Sequence, residues 1–322
     1  MAGLRCLVAA CCVGLALGAG SAAAADFPNR PIRWIVPYPA GGTTDILSRI
    51  MADFLAQRLG QPVVIENKPG AANNIATQAV ISAPPDGHTI LLTATTNAIN
   101  ATFYEKLPFN FQRDIAQVGG FVTLPFVLIA SPSFPAKTVP ELVAYAKANP
   151  GKVNMGSFGT GTISHLAIEL FKLSTGVDIV HVPYRSGVPL VTDMFAGLVQ
   201  TGIDAMPNSL QHIQRGALRA LAVTNSKRSH VVPDVPTIGE SIPGYAVDGW
   251  IGIGVPSGTP ADVVAILNRE LNAGLSDPAV KARLAELGAT PFPYAPADFS
   301  AYVAAETEKW AKVVRSAGVK AE

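Results

Sequence analysis

Tyr38-Pro39-Ala40-Gly41-Gly42-Thr43-Thr44-Asp45 is the stretch around which the chain is organised. It follows an apolar run, residues 32–36, that predicts a buried strand, and it precedes apolar residues at helical spacing over residues 46–59. The stretch is therefore a strand-to-helix turn. Its two glycines let backbone N–H groups approach a ligand, and one of the three residues after them can cap the helix. The helix start suits an anion, although a plain turn has the same composition and the stretch alone favours that simpler interpretation.

Two further strands follow the turn, at residues 63–65 and 89–93, and a helix at residues 74–83 lies between them. This βαβαβ order is typical of a doubly wound sheet. The turns after the strands meet at one edge of such a sheet, where these folds bind ligands.

The pattern begins again at residue 126 and continues to residue 223 as a second α/β unit. In this unit a glycine turn, residues 158–162, connects a strand to an amphipathic helix. The last part of the chain predicts one strand, residues 250–255, and two helices. Each unit thus has a glycine turn that ends a strand.

Two long strands, near Phe126 and near Trp250, connect the two α/β units. This arrangement predicts a two-lobed hinge protein. We expect residues 26–127 and 249–322 to form lobe 1 and residues 128–248 to form lobe 2.

The first 25 residues predict a secretory signal. Arg5 precedes an apolar run, residues 6–19, and an alanine-rich stretch ends at Ala25. We expect cleavage after Ala25 and a periplasmic mature protein. The alternatives are a lipoprotein attached through Cys11 and a retained membrane anchor. The lipoprotein is disfavoured because few apolar residues precede Cys11. The retained anchor is disfavoured because the apolar run is rich in Gly and Ala and ends in small residues, so cleavage is favoured.

The mature composition excludes several classes of function. Cleavage removes one of the 24 basic residues and none of the 23 acidic ones, so the mature chain is neutral overall. Bulk charge therefore gives no reason to expect nucleic acid or a membrane surface as partner. All three cysteines lie in the signal, which excludes thiol catalysis and thiolate metal sites. The mature chain also lacks G-x-S-x-G, H-E-x-x-H and P-loop motifs.

The chain resembles the Bug family, the periplasmic solute-binding proteins of tripartite tricarboxylate transporters. Each motif behind this resemblance is weak alone, but their order and spacing through nearly the whole mature chain are specific. The motifs are Asn29-Arg30-Pro31-Ile32, Tyr38-Pro39-Ala40-Gly41-Gly42 with Asp45 and Arg49, Glu66-Asn67-Lys68-Pro69-Gly70-Ala71, Pro85-Asp86-Gly87, residues 157–161 with His165, Leu166 and Glu169, His181-Val182-Pro183-Tyr184-Arg185, Val255-Pro256 with Gly258-Thr259-Pro260, and Trp310.

The resemblance implies an α/β fold of the type II periplasmic-binding-protein class, a Venus flytrap with a hinge of two crossover strands. It implies a protein that captures a small carboxylate between its lobes and delivers it to the membrane permease of a tripartite tricarboxylate-type transporter. We expect a monomer that is not an enzyme and holds no cofactor or metal. A binding protein that signals to a sensor without transport, or a periplasmic hydrolase, are the alternative functions.

We expect helix starts from both lobes to face one cleft and to hold the carboxylate, as the resemblance implies, by backbone amides, small side chains and waters. Tyr38 is a candidate for packing on the ligand's carbon chain. The predicted ligand-binding residues are Tyr38, Ala40, Gly41, Gly42, Thr43, Asp45, Ala71, Ala72, Asn73, Ser157, Gly159, Thr160, Gly161, Thr162, His165, Tyr184, Arg185 and Asp204.

Several of these residues have a simpler interpretation. His165 and Glu169 are four apart, as a metal pair would be, but a contact along one helix face is favoured because no third ligand is evident. Arg185 is either a partner for a second carboxylate or a solvated loop residue. Asp204 either orders the cleft or caps a turn, and Tyr184 is a candidate core residue.

The chain departs from the family pattern at Ala72-Asn73, where the family usually has two glycines. Asn73 tolerates left-handed backbone better than other side chains. We expect the methyl group of Ala72 to alter the wall that faces the ligand. His88, where the family more often has an aromatic residue, is predicted to be a turn residue without a ligand role.

Overall fold

The computed structural model describes residues 27–321. The predicted cleavage site after Ala25 and the alternative at Cys11 lie outside the described residues.

Strands in the described residues form two sheets, and helices pack against both. The strands are β1 (Ile32–Val36), β2 (Val63–Asn67), β3 (Thr89–Ala94), β4 (Ile115–Leu124), β5 (Phe126–Ala130), β6 (Asn154–Ser157), β7 (Val180–Pro183), β8 (Thr201–Ala205), β9 (Arg219–Val223), β10 (Gly249–Pro256) and β11 (Thr290–Pro291). The helices are α1 (Thr43–Leu59), α2 (Asn74–Ile81), α3 (Thr95–Phe103), α4 (Phe111–Asp114), α5 (Val139–Ala148), α6 (Ile163–Thr175), α7 (Gly187–Phe195), α8 (Met206–Gln214), α9 (Ala261–Ser276), α10 (Pro278–Glu286) and α11 (Pro296–Ala317). Short 3-10 turns occur at Ala71–Asn73 and Ile238–Glu240.

The sheet of lobe 1 has the strand order β11-β4-β10-β3-β1-β2. β1 lies parallel to β2 and β3, whereas β10 lies antiparallel to β3 and β4. β1 and β3 are largely apolar because helices cover both faces of the sheet. The predicted βαβαβ order is confirmed in this parallel part.

The sheet of lobe 2 has the strand order β7-β6-β8-β5-β9. β6 lies parallel to β7 and β8, and β5 lies antiparallel to β8 and β9. β6 leads into the turn at residues 158–162, whereas β8 leads directly into α8. This second α/β unit, together with the first, gives the predicted two-lobed fold.

The chain passes between the lobes twice, at Pro125 and between β9 and β10. The two passages are hydrogen-bonded to each other, because the N–H of Thr224 donates to the carbonyl of Phe126 at 2.9 Å. Within the second passage, the N–H of Val247 donates to the carbonyl of Thr224 at 2.9 Å. The strands predicted near Phe126 and Trp250 lie at these passages. The limits of the lobes, at residues 127/128 and 248/249, stay a prediction.

The lobes also touch away from the hinge. α11 packs on α3 and β4 of lobe 1 and contacts α6 of lobe 2. One apolar cluster runs from Trp250 and Phe299 in lobe 1 to Leu166 and Phe171 in lobe 2. The structure therefore shows the two lobes in contact on either side of a cleft.

Some helices differ from the prediction. The prediction of two helices after residue 255 is wrong, because α9, α10 and α11 are separate. The Asp277 carboxylate accepts from the N–H of Ala279 at 2.9 Å and so caps the start of α10, with Asp277 as the single residue between α9 and α10. α3 was not predicted, since its β-branched start resembles a strand. In the structure, Asn97 fixes this start by accepting from the N–H of Ala94 at 3.0 Å.

Candidate functional site

A cavity lies between the lobes where β1 and β3 of lobe 1 and β6 and β8 of lobe 2 end. Its empty volume is about 790 Å³, part of which is open to solvent. Residues beside both passages between the lobes line the cavity, and they are Leu124, Phe126 and Trp250. Ligand sites of α/β folds commonly occur at such strand ends and between domains.

The turn between β1 and α1 forms one wall. Tyr38, Pro39, Gly42, Thr43 and Thr44 all line the cavity. Gly42 is the residue before α1, and no side chain caps this helix start. The first free N–H groups of α1 are thus available to an anion in the cavity.

Asp45 holds this turn in shape from behind. Its carboxylate, which is buried, accepts from the N–H of Gly41 at 2.9 Å, from Nε of Arg49 at 2.9 Å and from Nδ2 of Asn67 at 3.1 Å. Burial raises the pKa of Asp45, but the hydrogen bonds from Arg49, Gly41 and Asn67 outweigh it and the pKa lies below its usual value. Asp45 is therefore an ionised turn-organising residue, and it does not line the cavity.

Tyr38 presents its ring to the cavity because its hydroxyl is held at the far side. The hydroxyl accepts from Nδ2 of Asn73 at 3.1 Å and lies 3.4 Å from the hydroxyl oxygen of Thr96. Burial raises the pKa of the Tyr38 phenol above 10.0, so the group is neutral. Asn73 thus acts on the site through Tyr38.

The second turn of lobe 1 is a run of left-handed backbone. The φ angles are +44° at Ala71, +46° at Ala72 and +75° at Asn73. The carbonyl of Ala72 accepts a hydrogen bond from Nδ2 of Asn100. The methyl group of Ala72 lies toward Gly161 of lobe 2, where an added Cβ would be 3.5 Å away. These three turn residues are not among those that line the cavity.

A third helix start in lobe 1 was missed in the sequence. Thr95 and Thr96, at the end of β3 and the start of α3, are buried and line the cavity. The hydroxyl of Thr95 accepts from the N–H of Trp250 at 3.0 Å, and this bond holds the helix start against β10, beside the second passage between the lobes. The end of a strand followed by two threonines and Asn97 was the available signal.

Lobe 2 contributes the starts of α6 and α7. Thr162 caps α6 by accepting from the N–H of His165, and its hydroxyl donates to the carbonyl of Gly159 at 2.7 Å. Thr162 and Phe158 line the cavity. Arg185 lies at the mouth of the cavity, is exposed, and makes no ion pair with the described residues.

Asp204 is a buried acid in the lobe 2 wall. It lies at the end of β8 and is fully buried. It accepts from the N–H of Ala205 at 2.9 Å, from Nδ2 of Asn208 at 2.8 Å and from the hydroxyl of Ser209. Burial raises the pKa of Asp204 to about 6, although these three hydrogen bonds oppose the shift. These hydrogen bonds hold the end of β8 to the first turn of α8.

Ser157, His165 and His181 form a cluster behind the lobe 2 wall and do not line the cavity. The hydroxyl oxygen of Ser157 lies 2.6 Å from Nε2 of His181, and the two imidazole rings stack 4.1 Å apart. The N–H of Gly161 donates to Nδ1 of His165 at 3.1 Å. Burial, and then the nearby His165 and Lys172, lower the pKa of His181 to about 3, so both rings are held neutral as packing and turn-supporting groups.

The structure brings together part of the predicted set. Six predicted residues line the cavity, and they are Tyr38, Gly42, Thr43, Thr162, Arg185 and Asp204. The other predicted residues lie behind the wall or beside it, and they are Ala40, Gly41, Asp45, Ala71, Ala72, Asn73, Ser157, Gly159, Thr160, Gly161, His165 and Tyr184. The last of these donates its hydroxyl to Asp193 at 2.7 Å. Residues that the sequence did not indicate include Thr95, Thr96, Phe126, Phe158, Asn208 and Trp250.

Taken together, the walls suit an organic anion with an apolar body. The lining includes the start of α1 and several threonines, and also the aromatic residues Phe126, Phe158 and Trp250. Within residues 27–321, no group of three acidic or His residues is placed to hold a metal ion, and no helix is long and apolar enough to cross a membrane.

Comparison with known proteins adds to this geometry. The profile of the tripartite tricarboxylate transporter family receptors matches residues 47–319. Protein BugT of Bordetella pertussis is 37% identical over 305 residues, which cover 94% of each chain. The structure of Rpa4515 of R. palustris with adipate is 36% identical, has a TM-score of 0.88, and covers 92% of this chain and 99% of that one. The structure of MatC from Rhodopseudomonas palustris with bound malate is 32% identical, has a TM-score of 0.83, and covers 89% of this chain and 100% of that one.

Proposed function

Because the chain belongs to the tripartite tricarboxylate transporter receptor family, a family of periplasmic solute-binding proteins that includes the Bug proteins, we propose that it captures a small carboxylate between its lobes and delivers it to the permease of a tripartite tricarboxylate-type transporter. We further propose that it works as a periplasmic monomer after cleavage of the signal at Ala25. The two related structures with adipate and malate support a carboxylate as the class of ligand.

The observation that carries the proposal is the uncapped start of α1 at the cavity wall. Gly42 leaves the first N–H groups of this helix open to the cavity, and Thr43 and Thr44 add hydroxyl donors. A carboxylate placed there receives several neutral hydrogen bonds and the favourable end of the helix dipole. Lys68, which lies on the neighbouring turn after β2, forms an ion pair with Glu66 at 2.7 Å.

The binding free energy that these contacts supply is consistent with a micromolar ligand. A micromolar ligand needs about 8 kcal/mol. Neutral hydrogen bonds contribute about 0.5–1.5 kcal/mol each, and one helix end contributes about 0.3–1 kcal/mol. Burial of the ligand's carbon chain against Tyr38, Phe126 and Phe158 supplies the remainder at about 25 cal/mol per Å².

The predicted residues that do not line the cavity have supporting roles in this proposal. Asp45 and Asn73 hold the turn and the Tyr38 ring, and the Ser157 cluster supports the start of α6. Waters held at the cavity wall can extend this reach to Thr160 and to the turn at residues 71–73. Arg185 contributes at the mouth, where solvent screens its charge.

Titration calorimetry tests the binding part of the proposal. Protein that is freed of ligand by unfolding and refolding is titrated with mono- and dicarboxylates of three to six carbons, adipate and malate included. At least one carboxylate should bind in the micromolar range or tighter, and the matching primary amide should not. Absence of binding across a folded sample, or equal binding of the amide, would overturn the assignment.

Uptake tests the transport part. Cells that lack this gene should lose uptake of the labelled carboxylate that binds, and a copy of the gene should restore it. Cells that keep full uptake would show that binding serves another purpose.

A further inference from the structure

A second set of contacts lies across the cavity from the start of α1, around Asp204. The Oδ1 atom of Asp204 accepts from the N–H of Ala205, and its Oδ2 atom accepts from Asn208 and Ser209. The side chain is fully buried, and these three donors are its hydrogen-bond partners among the described residues. An ionised carboxylate can only accept hydrogen bonds.

This property fixes the orientation of the Asn208 amide. Nδ2 of Asn208 must face Asp204, to which it donates at 2.8 Å. Oδ1 of Asn208 therefore points away from the acid, and it accepts no hydrogen bond from the described residues. Because Asn208 lines the cavity, its amide oxygen is an oriented acceptor with no protein donor.

The start of α7 keeps this arrangement in place. Gly187 packs so closely on Asn208 and Asp204 that a Cβ at this position would overlap both side chains. The amide is thus confined between the acid behind it and the helix start beside it. Confinement of this kind makes the acceptor direction a property of the fold.

We propose that Asn208 is a specificity-determining residue of lobe 2, and that its amide oxygen accepts a hydrogen bond from a hydroxyl or amino group on the ligand, at the end away from the ligand's carboxylate. The inference rests on the proposed function, which places that carboxylate at the start of α1. The preferred ligands are then hydroxy- or amino-substituted carboxylates.

Charge around Asp204 disfavours a second carboxylate at this place. A ligand carboxylate beside Asn208 would face the lone pairs of the amide oxygen and the negative charge of the buried Asp204. Arg185 lies at the mouth and is exposed, so its attraction is screened by water. A donor group satisfies Oδ1 of Asn208, whereas an unsubstituted chain leaves that oxygen unpaired and desolvated.

Matched ligand series test the inference. Alkanoates of four to six carbons are compared with their ω-hydroxy, ω-amino and ω-carboxy counterparts by calorimetry. At the best chain length, the hydroxy or amino compound should bind about tenfold more tightly than the unsubstituted or dicarboxylate compound. Asn208→Leu should reduce this preference to within about twofold.

Two further variants separate a role in specificity from a role in folding. Asn208→Ser retains an acceptor oxygen and should keep part of the preference. Asp204→Asn can donate as well as accept, so the amide of residue 208 is released from its orientation and the preference should weaken. Circular dichroism and thermal melting confirm that each variant is folded.

The outcomes distinguish this inference from the proposed function. If no compound of any series binds to the folded protein, the proposed function itself fails. If carboxylates bind but substitution makes no difference, or Asn208→Leu keeps the full preference, the role of Asn208 is overturned while the binding function stands.

Discussion

Gly42 keeps the start of α1 open by having no side chain. Its φ is −78°, which any residue adopts. Gly42 therefore matters because it leaves space beside the helix start, and not because of its backbone angle. An added Cβ would lie 3.3 Å from the carbonyl oxygen of Pro39, which is a tight contact. We expect a larger side chain here to occupy the space beside the first N–H groups of the helix.

Gly42→Val should therefore abolish binding, with at least a hundredfold loss, while the protein stays folded. Ala40→Val is the matched control, because Ala40 is exposed and does not line the cavity; it should bind within about threefold of the parent protein. Calorimetry of both variants decides the matter, and a folded Gly42→Val protein that binds normally would place the carboxylate elsewhere.

Asp204 makes stability depend on pH at the scale of one residue. Burial raises the pKa of its carboxyl from 3.8 to about 6. Between these values the folded protein holds a proton that the unfolded chain has released, so the unfolding free energy falls as pH rises through this window. The full effect, about 3 kcal/mol for about two pKa units, is reached above pH 6.

Asp204→Asn removes this titration. The unfolding free energy of the parent protein minus that of the variant should become more negative from pH 4 to pH 7, by up to about 3 kcal/mol. Urea unfolding of both proteins at each pH measures it, and the subtraction cancels the carboxyls that the two proteins share. A difference that does not change with pH would show that Asp204 titrates at its ordinary value.

At the scale of the element, the 3-10 turn Ala71–Asn73 carries strain. Left-handed backbone costs an alanine about 1–2 kcal/mol, and two alanines adopt it here. Ala72→Gly relieves that cost at one position but increases the freedom of the unfolded chain.

We expect Ala72→Gly to raise the unfolding free energy by about 0.5–1 kcal/mol. The same exchange in an ordinary helix should act in the opposite direction. Ala144→Gly, at an exposed site inside α5, should lower the unfolding free energy by about 1 kcal/mol. Chemical unfolding of the two variants compares the signs, and destabilisation by Ala72→Gly would mean that the turn is not strained.

The elements show how far the sequence could lead. β1, the turn after it and α1 followed from an apolar run, two glycines and helical spacing, since these signals are local. The start of α3 was missed because Thr95 and Thr96 favour strands, and its place at the cavity depends on a hydrogen bond from Trp250, 155 residues away. Asn208 could not be recognised either, because its role depends on Asp204 behind it and on the missing side chain of Gly187.

At the scale of the whole molecule, the hinge predicts a measurable closure. The lobes are connected at Pro125 and between Thr224 and Val247, which lie side by side, so rotation about this line opens or closes the cleft. Ligand should reduce the radius of gyration measured by small-angle scattering. At a hundred times its Kd, the ligand should also stabilise the protein by about 2.7 kcal/mol.

Trp250 offers a second measurement of the same event, because it lines the cavity and donates its indole N–H to Glu306 at 3.3 Å. Ligand should change the tryptophan fluorescence of the parent protein and of the Trp310→Phe variant. The change should be much smaller in the Trp250→Phe variant. An unchanged radius together with unchanged fluorescence, for a ligand shown to bind, would refute closure.

The strand order of lobe 1 has a consequence for the sequence of events during synthesis. β10 lies between β3 and β4, so these two strands have no hydrogen-bonded neighbour between them until the chain has been made past residue 249. Every strand of the lobe 2 sheet, by contrast, lies between residues 126 and 223. Synthesis from the N-terminus therefore produces all strands of lobe 2 before it produces β10, which joins β3 to β4 in lobe 1. Lobe 1 is begun first and completed last.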